Sequence, residues 1–243
     1  MPDWLSSLLL GIIASLFAGL LLIGLAGLFS KAARWILTGI LGRLLDIDVD
    51  MVFANPREAA DDIKTEIARS SSVSLFTGRG SELQRETFEP LFASLSRSSS
   101  RNVKILLPSV HVEGPRVDWV ARREMENSRF DAAYGKGLLS LQIQATLKFL
   151  EGFRTAANLE VRCYSLPLIG RILITESSAY LTPYRNMEHS RDSRVLKFRR
   201  GGEMFNFLER IVSEAWETSS TPWRGAVDGD QREVQEQDRR GGR

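Results

Sequence analysis

Apolar residues run through residues 8–29 (LLLGIIASLFAGLLLIGLAGLF) with no charge, no proline and no polar stripe. A helix of that length, at about 1.5 Å per residue, covers a hydrocarbon core of roughly 30 Å. A cleaved signal sequence wants a basic lead and an apolar run of about 7–15 residues, whereas Asp3 precedes this run and no Lys or Arg does. The pattern therefore predicts one N-terminal transmembrane helix over residues 1–30. Residues 35–45 (WILTGILGRLL) are apolar again but short and interrupted by Arg43, which reads as an interfacial helix within a juxtamembrane segment, residues 31–52.

Beyond residue 46 the period changes. Residues 46–53 (DIDVDMVF) alternate acidic and apolar positions, as a strand or extended lead-in does. Asn55-Pro56 carries helix-start chemistry for a helix reaching Arg69, with Ala59, Ile63 and Ile67 on its buried face. Residues 73–77 (VSLFT) read as a buried strand ended by the turn Gly78-Arg79-Gly80-Ser81, with Ser81 capping a helix that runs to Leu95. Further strands are expected over 103–107, 159–164, 171–175, 179–182 and 194–198, and helices over 117–127, 134–153 and 204–216. Within 134–153 alternation and helical spacing compete; the length favours a helix with Leu138, Leu141, Ala145 and Phe149 on one face. Strands interleaved with helices give an α/β sandwich with a mixed sheet over residues 53–218. Residues 219–243 are Gly, Gln and charge with almost no apolar residue, the composition of a disordered tail.

Charge adds orientation. Lys31, Arg34 and Arg43 follow the apolar run, so the positive-inside bias predicts a single-pass inner (plasma) membrane protein with its N-terminus outside and its C-terminal domain cytoplasmic. Membrane lipid is then an expected partner. Gly11, Ser15 and Gly19 fall at successive i+4 positions, a candidate face for membrane self-association and a homo-oligomer.

Composition narrows the chemistry. Two His and one Cys leave no ligand set for zinc-finger, iron–sulfur or multi-histidine sites, so no metal and no cofactor is expected. A net charge of +2 makes any basic footprint local. One such cluster is Arg185, His189, Arg191, Arg194, Lys197, Arg199 and Arg200, opposed by Glu188 and Asp192; a solvated rim and a ligand site read equally well there. The turn Arg79-Gly80-Ser81 is the better-formed anion candidate, because backbone N–H groups and a helix dipole would converge on it.

The order of elements and the late segment resemble the phospholipase D superfamily. In that family a His-x-Lys-x4-Asp signature enters a strand, and the next strand ends in a Gly-Ser-like turn. Here Ile169-Gly170-Arg171 and Glu176 have the matching spacing, residues 179–183 (AYLTP) supply the next strand and turn, and residues 75–80 (LFTGRG) and 104–108 (KILLP) look like the family's first half. The resemblance implies a mixed-sheet phospholipase D-like sandwich acting on or binding phosphodiesters. In the family's mechanism one His attacks phosphorus and a second protonates the leaving group, and active members need two signature motifs. This chain has one, and its nucleophile position holds Ile169. Arg171 stands at the Lys position and retains a planar fork for phosphate, and Glu176 stands at the Asp position to orient it.

The expectation that follows is a catalytically degenerate, membrane-anchored domain that binds a phosphorylated ligand (nucleotide, nucleic acid or lipid headgroup) as sensor, effector or scaffold. Arg79, Gly80, Ser81, Arg171, Glu176 and Arg191 are its candidate ligand residues. One alternative is an active phosphodiesterase, a nuclease or phospholipase dimer, that uses His189 or His111 as its catalytic histidine. The other is a membrane scaffold with no small ligand.

Overall fold

The computed structural model describes residues 3–29, 40, 48–96, 101–110, 117–185 and 192–221. After helix α1 (Asp3–Phe29) come β1 (Val49–Phe53), α2 (Ala60–Arg69), β2 (Ser72–Phe76), α3 (Glu89–Ser96) and β3 (Asn102–Pro108). The chain continues through α4 (Trp119–Asn127), α5 (Leu138–Glu151), β4 (Leu159–Tyr164), β5 (Gly170–Thr175), β6 (Ser178–Pro183), β7 (Val195–Arg199) and α6 (Glu203–Glu217). The strands form one mixed seven-stranded sheet in the order β1-β7-β6-β5-β2-β3-β4. β2, β3 and β4 are parallel, and the remaining pairs are antiparallel.

Alternation along the central strands builds a core on both faces. Val73, Leu75, Val103, Ile105 and Leu173 pack with Ile63 and Ile67 of α2, Leu91 and Leu95 of α3 and Leu150 of α5. Phe76, Leu106, Ile172 and Ile174 face the other way, onto Phe205, Leu208, Val212 and Trp216 of α6. Those α6 positions recur at helical spacing, so one face of that helix is enough to close the layer. Asp48 fixes where α6 begins: its Oδ2 accepts the N–H groups of Met204 at 2.7 Å and Phe205 at 3.2 Å. A second polar brace ties α2 to the sheet, with Lys197 Nζ 3.0 Å from Asp62 and 3.8 Å from Glu66. Tyr180 donates to the same Asp62 carboxylate.

The membrane reading is corrected. Among the described residues no helix is long and apolar enough to cross a membrane, which overturns the single-pass inner-membrane placement with its outside N-terminus and cytoplasmic domain. Gly11 and Ser15 are exposed and Gly19 half-buried. No described atom lies within 4 Å of a Cβ built at Gly11 or Gly19. The interfacial segment expected over 35–45 lies outside the described residues apart from Ile40.

Three local expectations shift for identifiable reasons. Asn55 Oδ1 does accept backbone N–H groups, from Arg57 at 3.0 Å and Glu58 at 3.1 Å, but it caps a turn that precedes α2 rather than the helix itself. The helix expected from Ser81 to Leu95 is instead two 3-10 turns, Ser81–Gln84 and Glu86–Phe88, followed by α3, because Arg85 is extended (φ −92°, ψ 158°). The long segment is helical, as its length implied, yet α5 buries Leu139, Ile143, Thr146 and Leu150, while Leu141 is 59% exposed. That helix carries apolar residues nearly all round, so only its seat against the sheet selects the face.

Beyond α6 the chain is not detached at 219. Ser220 pairs with the β4 edge, its carbonyl accepting the Cys163 N–H at 2.6 Å and its N–H donating to the Cys163 carbonyl at 3.0 Å. This contact covers an edge strand that would otherwise present open N–H and C=O groups. Residues 222–243, the greater part of the expected tail, lie outside the described residues.

Candidate phosphate-binding edge

In a mixed sheet of this kind the carboxyl ends of the parallel strands form one rim, where ligands of open α/β sheets bind. Because β5 runs against β2 and β6 against β5, the start of β5 and the end of β6 lie on that same rim. The rim therefore collects Thr77 after β2, Arg171 at the start of β5, and Thr182 and Tyr184 at and beyond the end of β6.

These side chains form one buried polar cluster. Thr77 is fully enclosed, and its hydroxyl donates to Glu82 Oε1. The buried Glu82 carboxylate lies 3.8 Å from Arg171 Nη1. Arg171 Nη2 donates to Thr182 Oγ1 at 3.2 Å. The Thr77 carbonyl accepts from Tyr164 Oη at 3.0 Å, and the Gly78 N–H donates to Tyr184 Oη at 3.0 Å. Burial pushes both tyrosine hydroxyls above their ordinary range, Tyr164 strongly, so both stay neutral at physiological pH. A Cβ at Gly78 would lie 2.7 Å from a Tyr184 ring carbon; glycine lets that ring rest directly on the backbone.

Gly80 has a distinct constraint. Its φ of 72° is left-handed, and a Cβ there would meet Thr146 at 2.6 Å and Leu107 at 2.8 Å. Thr146 of α5 also holds the turn from outside by donating to the Arg79 carbonyl at 2.8 Å. Arg79 itself reaches Gln142 on α5 at 3.4 Å. No α-helix dipole backs the turn Arg79-Gly80-Ser81, because Ser81 opens only a four-residue 3-10 turn, Ser81–Gln84.

Placement splits the remaining expectations. Arg171, Arg79, Gly80 and Ser81 do come to one rim. Glu176 does not orient Arg171. It lies at the other end of β5, where the N–H and hydroxyl of Ser71 donate to its carboxylate. Those bonds hold Glu176 below the usual carboxylate range. Five-residue spacing along one strand puts the two groups about 17 Å apart at 3.4 Å per residue. The partner of Arg171 is Glu82, which the sequence reading missed; a lone Glu inside a polar turn carried no signal of burial. His111, His189 and Arg191 lie outside the described residues. The basic cluster is also divided, since Lys197 turns inward to Asp62 and Glu66 while Arg200 stays exposed.

Chemically, the rim offers a guanidinium, hydroxyls and backbone N–H groups, but no nucleophile at the position beside Arg171. Ile169 stands there, 59% exposed. Cys163 is no substitute: burial pushes its thiol up to about 11, so the reactive thiolate is scarce at neutral pH. No group of three or more His, Cys, Asp or Glu suited to a metal occurs among the described residues. A larger cavity of about 490 Å³ lies elsewhere, near the amino end of β2 and against α6, with Lys104, Arg200, Glu176 and Glu209 on its walls.

No family model and no curated protein matches the chain. Solved structures that align with it include TrmBL2, an archaeal chromatin protein described with a novel mode of DNA binding, at 12% identity and TM-score 0.43, over 90% of this chain and 67% of that one. Nuc from Salmonella typhimurium, a phospholipase D family member, aligns at 10% identity and TM-score 0.43, over 70% and 95%. NucT from Helicobacter pylori aligns at 13% and 0.43, over 70% and 97%. Overlap at that level decides neither family nor function.

Proposed function

We propose that this chain is a phosphate-recognition domain of phospholipase D-like design that has lost the family's nucleophile. It binds a phosphorylated ligand at the carboxyl rim of β2 and does not cleave it. The observation that carries this reading is the pairing of an enclosed Arg171 with an exposed Ile169 two residues earlier. A guanidinium presents five N–H donors in a plane, and Glu82 and Thr182 occupy only part of that fork, so donors remain for a phosphate oxygen pair. Isoleucine can neither attack phosphorus nor donate a proton, so binding without turnover is the chemistry the rim supports.

The test uses the full chain, with titration calorimetry and melting shifts against inorganic phosphate, ribose 5-phosphate and glycerophosphocholine, alongside hydrolysis of bis(p-nitrophenyl) phosphate. Binding that is lost in the charge-balanced variant Glu82→Gln/Arg171→Gln, with no hydrolysis, is the expected result. Hydrolysis that disappears on His189→Ala would overturn the degenerate reading in favour of an active phosphodiesterase. Binding unaffected by the double variant would remove the rim from consideration.

A further inference from the structure

Next to the phosphate rim lies a second cavity, of about 260 Å³, whose walls include Trp119, Arg122, Pro167, Leu168, Ile169 and Tyr184. We infer that it receives a nucleobase, so that the ligand of the rim is a nucleotide unit, free or within a single strand. This inference rests on the phosphate reading above and specifies its ligand.

Three features point to a flat ring. Ile169 is exposed, and it stands with Pro167 and Leu168 as a short apolar wall. The same cavity is lined by Trp119 and by Arg122, whose guanidinium lies 5.4 Å from the centre of the Trp119 ring, so it carries an aromatic ring and a planar cation, two groups on which bases stack. At about 260 Å³ the cavity is below the roughly 300–1,000 Å³ typical of sites for whole small molecules, a volume that suits one ring.

Tyr184 joins the two subsites. It lines the cavity, its N–H donates to the Ile169 carbonyl at 2.9 Å, and its hydroxyl accepts the Gly78 N–H on the rim. Ile169 and Arg171 are two residues apart on an extended chain, about 7 Å, the order of separation that a sugar places between base and phosphate. Arg122 and Arg123 both pair with Glu126, at 3.7 and 3.0 Å, which leaves the cavity lining one positive charge in excess, a balance that favours an anionic ligand.

The experiment measures the affinity of the full chain for adenosine 5′-monophosphate, ribose 5-phosphate, glycerophosphocholine and a tetradeoxyadenylate. The base should make the monophosphate about tenfold tighter than ribose 5-phosphate. That ratio should fall towards one in Trp119→Ala and in Arg122→Ala, the second being a half-exposed side chain whose loss leaves the core intact. A tetradeoxyadenylate that binds more tightly than the monophosphate identifies a strand; equal affinity identifies a free nucleotide, and both support the inference. Equal binding of the two sugar phosphates, a ratio unmoved by both variants, or a preference for glycerophosphocholine overturns the base pocket while the phosphate rim stands. Absence of binding by every phosphate overturns the rim and the base pocket together.

Discussion

The Arg171–Glu82 pair is the sharpest point at which the proposed rim can be broken. Their side chains are 13% and 9% exposed, and the closest N–O approach is 3.8 Å. At an effective dielectric constant of about 20, two unit charges at that separation attract by about 4 kcal/mol before desolvation is counted. Removing one partner leaves the other charge buried. Arg171→Gln alone should therefore cost about 3–5 kcal/mol, because Glu82 would keep only the Thr77 hydroxyl. Glu82→Gln alone should cost less, about 1–2 kcal/mol, since an amide oxygen still accepts from Thr77 and Arg171 still reaches Thr182. The double Gln variant should recover part of the sum, giving a coupling energy of about 1–3 kcal/mol. Urea unfolding of the four proteins, followed by circular dichroism at pH 7, measures the cycle. A coupling below about 0.5 kcal/mol would refute the pairing. So would a larger coupling between Arg171 and Glu176, which the fold sets at opposite ends of β5. Glu82→Gln carries a binding consequence as well: with its internal anion neutralised, Arg171 should hold inorganic phosphate severalfold more tightly.

Two further outcomes test the frame around the rim. Asp48→Ala removes the carboxylate that accepts the Met204 and Phe205 N–H groups at the start of α6, and should cost about 1–2 kcal/mol in denaturant unfolding. In a carboxyl-resolved NMR titration Glu176 should titrate below its ordinary value of 4.5, and Ser71→Ala should move it back upward. With a folded pKa below the unfolded one, the stabilisation is present above about pH 4.5 and is lost as pH falls through the folded pKa.

The proposed function turns on what stands beside the guanidinium. A histidine in place of Ile169 would put a nucleophile within two residues of the cation proposed to bind phosphate. Isoleucine puts an apolar side chain there instead, on a cavity that Trp119 also lines. On the proposed reading, the missing nucleophile and the recess proposed for a base both turn on this one position.

Periodicity alone determined much of the element list. The alternation in DIDVDMVF and the short apolar run VSLFT specify strands by local pattern, and β1 and β2 appear where those patterns lie, as α6 does over the helix expected at 204–216. The spacing of Ile169, Arg171 and Glu176 was equally legible, because residue types at fixed offsets need no fold to be read. Tertiary structure alone decided which ends of the strands share a rim. Antiparallel pairing of β5 with β2 brought Arg171 to Thr77 and carried Glu176 away to Ser71, and it gave Arg171 the buried partner Glu82 from a turn nearly ninety residues earlier. Pair identity and helix face depend on contacts across the sheet, and linear spacing carries no information about those contacts.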